Sequence, residues 1–305
     1  MSRIFAIGEI VYDIIFKNNQ PQQANPGGSM LNSAISLSRI GLPVFFIGET
    51  GNDAIGTIIC NFLQSNNIHT DYITSYDMHK SSIALAFLNE SNDASYIFHK
   101  DYPQERLPYQ LPLPQIGDFV LFGSSFALNQ EVRSKLLTFL QNAKKNGATI
   151  IYDPNYRKQS SNQETILQRV KENISFAHIT RGSDEDFQTI FNTSEIESLY
   201  PKIKDLGCKN LILTRNKFDI KIVTQLHSKT HTVPSINAIN TIGAGDNFNA
   251  GIIYGLSKNA INSLSLDTMS IEIWDNIISN AIAFSAEVCQ SMENYISWES
   301  AKLYR

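Results

Sequence analysis

Residues 240–248 read Asn-Thr-Ile-Gly-Ala-Gly-Asp-Asn-Phe. Two glycines flank an alanine, a carboxylate follows at once, and a helical pattern starts there. Small residues let the backbone curl round an anion, and the first N–H groups of a helix lack an intrahelical partner and point outward. A carboxylate fixed beside such a cradle can take the proton of a hydroxyl as its oxygen attacks phosphorus. The stretch therefore suits phosphoryl transfer to an alcohol, with Asp246 as base and Gly243, Ala244 and Gly245 as cradle. A tight turn that merely starts a helix fits the same residues. The rest of the chain has to separate the two readings.

Other polar and glycine residues fall where strands are expected to end. Gly8 and Asp13 follow an apolar run at Ile4–Ile7. Gly27, Gly28 and Asn32 open a helical pattern. Asp153, Asn155 and Arg157 follow a run at 149–152, and Thr214 follows one at 210–213. Each has a plain reading as a turn or surface residue. Together they fit a polyol site, because carboxylates and amides accept hydrogen bonds from hydroxyls and amides donate back. Arg157 suits a bidentate grip on an anionic group. A buried Asp13 without partners is costly, and a hydroxylated ligand gives it a reason to exist.

The elements that must position these residues show a regular alternation. Buried strands are predicted at 4–7, 44–47, 119–122, 149–152, 177–180 and 210–213. Helices are predicted at 30–40, 53–64, 131–145, 163–173, 183–190, 196–206, 244–257 and 271–290. Gly41 and Pro43 mark the end of the first helix. Pro26-Gly27-Gly28-Ser29 reads as a turn. Residues 82–99 read as two strands joined by a polar turn, and 220–224 with 230–233 as a second hairpin. Strand–helix alternation implies a parallel sheet with helices on both faces, whose ligands sit at the carboxyl edge of the strands.

Composition narrows the class. The chain has 305 residues, 42% hydrophobic and 18% charged, enough for a sizeable core. Its net charge of −4 counts against general nucleic-acid binding. No apolar run approaches the ~18 residues of a membrane span. Charges at Arg3, Glu9 and Asp13 interrupt the N-terminal apolar stretch, so no secretory leader is expected. Cys60, Cys208 and Cys289 lack metal spacing and are odd in number, which predicts free thiols in a reducing cytoplasm.

The ordered motifs Gly27-Gly28-Ser29-Met30-Leu31-Asn32, Gly48-Glu49-Thr50-Gly51-Asn52-Asp53-Ala54-Ile55-Gly56 and Gly243-Ala244-Gly245-Asp246 resemble the PfkB, or ribokinase-type, family of sugar kinases over nearly the whole chain. The resemblance implies a three-layer α/β sandwich with a mostly parallel central sheet, residues 1–305 as one domain, and a small β lid from about 10–16 and 82–99. It implies an ATP- and Mg²⁺-dependent kinase with Asp246 as base and Gly243, Ala244 and Gly245 as anion hole. Asp13, Gly28, Asn32 and Arg157 would hold the sugar. Thr214, Asn216 and Thr241 would lie on the nucleotide side. Asp153-Pro154-Asn155-Tyr156-Arg157 is similar to a stretch of bacterial fructokinases and ketodeoxygluconate kinases. Fructose is therefore the expected substrate, ahead of 2-keto-3-deoxygluconate and ribose, with His99 and Lys100 among the residues that could discriminate. A homodimer through the lid follows the family's habit.

Four positions in three elements depart from the pattern. Asn240 stands where relatives that use a monovalent cation have an Asp ligand, and a neutral amide counts against potassium dependence. Asp186, in Ser183-Asp184-Glu185-Asp186, replaces the Glu that organises magnesium through water and is one methylene shorter. Asn216 and Asp219 replace both glycines of the loop after Thr214. These departures keep open a second class of function, a sugar- or nucleotide-binding protein that has lost catalysis.

Overall fold

The computed structural model describes residues 2–90, 94–108, 110–156 and 163–305. Its main sheet has nine strands in the order β13-β12-β11-β10-β9-β8-β1-β4-β5. From one edge to the other these are β13 (Ser228–Thr232), β12 (Asp219–Val223), β11 (Asn210–Arg215), β10 (Ile179–Ser183), β9 (Thr149–Asp153), β8 (Phe119–Gly123), β1 (Ile4–Ile7), β4 (Val44–Gly51) and β5 (His69–Tyr76). All pairs from β11 to β5 are parallel, and only the β11–β12 and β12–β13 pairs are antiparallel. The mostly parallel sheet predicted from the alternation is what forms. The edge strand β5 was not anticipated. Its sequence HTDYITSY alternates polar residues with half-buried ones, so it lacks the continuous apolar run of the inner strands.

The central strands are apolar on both faces because helices cover both. Ile4 and Ala6 of β1 point into one core, while Phe5 and Ile7 point into the other. The first core is closed by α1 (Ser29–Arg39), α2 (Ala54–Ser65), α7 (Ala244–Lys258) and α8 (Ile271–Cys289) around buried Phe46, Phe248 and Trp274. The second is closed by α3 (Gln130–Lys145), α4 (Gln163–Phe176), α5 (Asp184–Phe191) and α6 (Ile196–Asp205) around Phe122, Phe139 and Phe187. A parallel sheet buried on both sides needs this arrangement. Among the described residues, no helix is long and apolar enough to cross a membrane.

A second sheet of four strands runs β3-β2-β6-β7. It is built from β2 (Val11–Lys17), β3 (Gln20–Gly27), β6 (Ile83–Leu88) and β7 (Ala94–His99). The hairpin expected at 82–99 forms as β6 and β7, and the strand expected near 10–16 forms as β2. One expectation fails: Pro26 and Gly27 are not a turn. They end β3, paired with Tyr12 and Val11. Proline and glycine suggest turns, but an edge strand tolerates proline, and β3 is an edge. The turn shrinks to Gly28, whose φ of 141° caps α1.

Candidate active site

α7 begins at the cradle. Gly243 caps it with φ 82°, and a Cβ there would lie 2.7 Å from the Asn294 carbonyl oxygen, so conformation and space both demand glycine. The Asn247 N–H bonds back to Gly243 O at 2.9 Å, and the Ala244 N–H reaches only Thr241 O at 3.3 Å. The helix register leaves the N–H groups of Gly245 and Asp246 for an outside acceptor. Ala244, the first residue of α7, stands in the same turn. Thr241 is exposed at its rim and enters through its carbonyl.

Asp246 is held from α1. The Ser29 hydroxyl donates to Oδ1 at 2.6 Å, the Asn32 amide donates to Oδ2 at 2.8 Å, and the Ser33 hydroxyl donates to the Asp246 carbonyl at 2.6 Å. Burial pushes the carboxyl up to about 6. The bonds from Ser29 and Asn32 pull it back, Asp153 raises it further and Arg181 lowers it. A base with that value is ionised near neutral pH and still basic enough to take a proton. The Asn32 side-chain oxygen is buried with no partner among the described residues. An amide oxygen there can accept from a hydroxyl.

Asp13 lies on β2 in register with Asn25 and Ala84. Its carboxylate packs over Gly27, where any Cβ would overlap Oδ2. Burial alone pushes it up to about 7. Gly28 is equally constrained, because a Cβ would overlap the Glu9 carbonyl. Asp13, Gly28 and Asn32 are thus brought to one end of α1. Arg157 lies outside the described residues. Its neighbour Asn155, with φ 37°, donates to the Ser29 hydroxyl at 3.0 Å and so joins the same cluster. His99 is exposed, and Lys100 pairs with Glu9 at 2.7 Å. Glu9, Lys100, Arg106, Phe126 and Arg169 line an adjoining cavity of about 430 Å³.

Residues that the sequence reading missed tie the pieces together. Arg181 on β10 donates to Asp153 Oδ2 at 2.8 Å and to the Thr214 hydroxyl at 2.8 Å. The Asn249 amide donates to the same Asp153 oxygen at 2.6 Å. Thr214, expected near nucleotide phosphates, therefore stands at the end of β11 beside a buried cation. No spacing rule marks Ser29, Arg181 or Asn249. Only the convergence of β9, β10, β11, α1 and α7 does.

Asp186 has a structural task. Its Oδ2 accepts from the Ser183 N–H at 2.9 Å and the Ser183 hydroxyl at 2.7 Å, and its Oδ1 accepts from the Tyr156 N–H at 2.7 Å. This capping box starts α5 and anchors the turn after β9. Among the described residues, no three metal-ligating side chains converge. The donor set fits a hard cation that arrives with nucleotide phosphates and keeps its own waters, one of which Asp186 can accept. The loop after Thr214 keeps a defined shape without glycine. Asn216 takes φ 49°, a left-handed conformation that asparagine tolerates, and Asp219 is paired bidentately with Arg215 inside the β11–β12 ladder. Arg215 is thereby neutralised. Asn240 accepts from the Ile242 N–H at 3.0 Å through its side-chain oxygen, which occupies it in a local turn.

A doubly covered parallel sheet, with a buried carboxylate beside a glycine-rich helix N-terminus at its carboxyl edge, suits a phosphotransferase that acts on an alcohol. Comparison with known proteins gives the particular class: residues 1–290 match the pfkB family carbohydrate kinase pattern, and the chain belongs to that family. The fructokinase of Escherichia coli is 23% identical over 267 residues, covering 86% of this chain and 87% of that protein. The 2-dehydro-3-deoxygluconokinase of Haemophilus influenzae is 24% identical over 281 residues, covering 85% and 88%. The fold matches the fructokinase of Vibrio cholerae O395 solved with fructose, ADP and calcium, at TM-score 0.85 and 22% identity over 100% of this chain and 99% of that one. It matches the aminoimidazole riboside kinase of Salmonella enterica equally, at TM-score 0.85 and 20% identity over 99% of each. The protein is a sugar kinase, a phosphotransferase whose acceptor is a sugar hydroxyl.

Proposed function

We propose that the chain transfers the γ-phosphoryl group of ATP to a hydroxyl of fructose. The observation that carries this is Asp246, held by Ser29 and Asn32 at the mouth of the Gly243–Gly245 cradle. The acceptor hydroxyl displaces Ser29 from Asp246 Oδ1 or shares that oxygen with it. Asp246 takes the hydroxyl proton as the sugar oxygen bonds to γ-phosphorus. The bond from γ-phosphorus to the bridging oxygen breaks, and ADP leaves with its electron pair. The free N–H groups of the cradle meet the charge that spreads over the phosphoryl oxygens. Asp13 and the Asn32 side-chain oxygen accept from the other sugar hydroxyls, with Gly28 allowing close approach and Arg157 as a further sugar ligand. Thr214, Asn216 and Thr241 face the nucleotide. Asp186 would hold a magnesium ion through water, and that ion would supply neutralisation of the phosphate charge. Asn240, engaged in its own turn, fits an enzyme that does not depend on potassium.

The four-stranded sheet serves as a lid, since it carries Asp13 on the same face as Ala84 and Phe98. Its opposite face sets Ile14 and Phe16 beside Leu85, Phe87 and Ile97, with Phe16 and Phe87 stacked at 5.0 Å. That apolar face suits a second copy of the chain. A second substrate reading rests on the adjoining cavity. Three cations, Lys100, Arg106 and Arg169, against two carboxylates, Glu9 and Glu131, line it, and the positive balance favours an acidic sugar such as 2-keto-3-deoxygluconate. An ADP-release assay over fructose, 2-keto-3-deoxygluconate and ribose tests both. Turnover with fructose supports the first, and turnover only with the acid supports the second. Thermal stabilisation by sugar or ATP without any turnover identifies a binding protein instead.

A further inference from the structure

Arg181 is the buried charge of this centre, and the hydroxyl chemistry above assigns it nothing. The residue is 9% exposed. One guanidinium nitrogen binds Asp153 and the other binds Thr214, so three adjacent strands are joined through it. Its Nε is buried without a partner among the described residues. Two further contacts point at the cradle. A Cβ on Gly245 would lie 2.8 Å from Arg181 Nη1, and the guanidinium carbon lies 5.4 Å from the Phe248 ring centroid. Gly245 therefore lacks a side chain for a second reason: the guanidinium presses against the first turn of α7 from beneath.

We propose that Arg181 is a positioning residue for phosphoryl transfer: it sets a fixed cationic group under the cradle, against the helix turn that carries Asp246. This rests on the kinase reading of the site. The N-terminus of α7 carries only a partial positive charge of its own. A guanidinium packed on that turn adds to it, partly offset by its ion pair with Asp153, in a place that water barely reaches, where it acts at little cost in reorganisation. It touches neither sugar nor base, and it acts through the helix turn and through Asp153. The groups facing Asp246 define its electrostatics. Asp153 comes from β9 and Arg181 from β10, and α1 contributes only the neutral Ser29, Asn32 and Ser33. Asp153 opposes ionisation of Asp246 and Arg181 favours it, and the same pair acts on Asp186 in the same directions.

The test uses the full-length enzyme with ATP, Mg²⁺ and fructose, or whichever panel sugar it phosphorylates fastest. Arg181→Met is expected to lower kcat at least tenfold, a lesser loss than the ~10²–10³ typical of a donor that touches the reacting group. The acid limb of the kcat–pH profile should rise by about one unit, with KM for the sugar little changed. Arg181→Lys should keep the wild-type limb. Arg181→Met combined with Asp153→Asn removes both opposing charges, so the limb should return while kcat stays low. A wild-type kcat and limb in Arg181→Met, with only Tm reduced, overturns the inference and leaves a structural tie between strands. If that variant does not fold, Arg181→Lys decides: a limb displaced as far as one unit overturns it. An inactive wild-type enzyme defeats the kinase reading itself, which is a separate result.

Discussion

Asp246 and Asp13 are both carboxylates lifted from their ordinary range by burial, to about 6 and about 7, and they answer to pH in different ways. Asp246 must be ionised to accept a proton, so kcat should fall as pH drops through about 6. Asp246→Asn should retain sugar binding, measured by thermal shift, and lose ~10²–10⁴-fold in kcat, the usual worth of a general base. Asp13 bears on stability. Its folded value lies above its unfolded one, so the folded state binds the extra proton and stability declines as pH rises from about 4 to about 7. Asp13→Asn should therefore stabilise the protein at pH 8, on the order of 2 kcal/mol in urea titration. The gain should vanish by pH 4, and sugar affinity should be lost throughout. An unchanged midpoint at pH 8 would show that the carboxylate is already solvated. At this scale the sequence announced the residues that sit in glycine-rich motifs, such as Asp246 and Asn32. It gave no role to Ser29, although Ser29 sits in one of those motifs, and it was silent on Arg181 and Asn249, ordinary residues made special only by what the fold sets against them.

The elements show why glycines here are about contact more than freedom. Gly27 has no unusual φ, yet a side chain on it would displace Asp13. Gly27→Ala is expected to raise KM for the sugar more than tenfold with KM for ATP within twofold, because only the β2–β3 side of the site is disturbed. An equal effect on both substrates would mean that the small sheet governs the whole cleft. The loop after Thr214 makes the converse point. Read from composition, two missing glycines put its shape in question. In the structure Asn216 adopts the left-handed conformation and Asp219 never needs it, because Arg215 pins it within the ladder. The inner strands and the helices were legible because burial on both faces leaves long apolar runs. β3 and β5 were not, since edge strands carry polar residues and even proline without penalty.

For the molecule as a whole, the two sheets divide the labour. The nine-stranded sheet fixes base, cradle and Arg181, while the four-stranded sheet brings Asp13. If the outer face of the small sheet pairs with a second copy, light scattering should report about twice the 34.2 kDa chain mass. Phe16→Lys with Phe87→Lys should then give a folded monomer, and a wild-type monomer at high concentration sets the pairing aside. The bond between Ser29 and Asp246 spans 217 residues of chain. Contacts of such long range are slow to find, and large α/β chains pass through compact intermediates before such contacts form. During synthesis, Ser29 emerges long before its partner exists. Refolding kinetics should therefore show sheet and helix signals recovering ahead of activity, and a nascent chain that has not yet reached α7 should hold most of its strands and no chemistry.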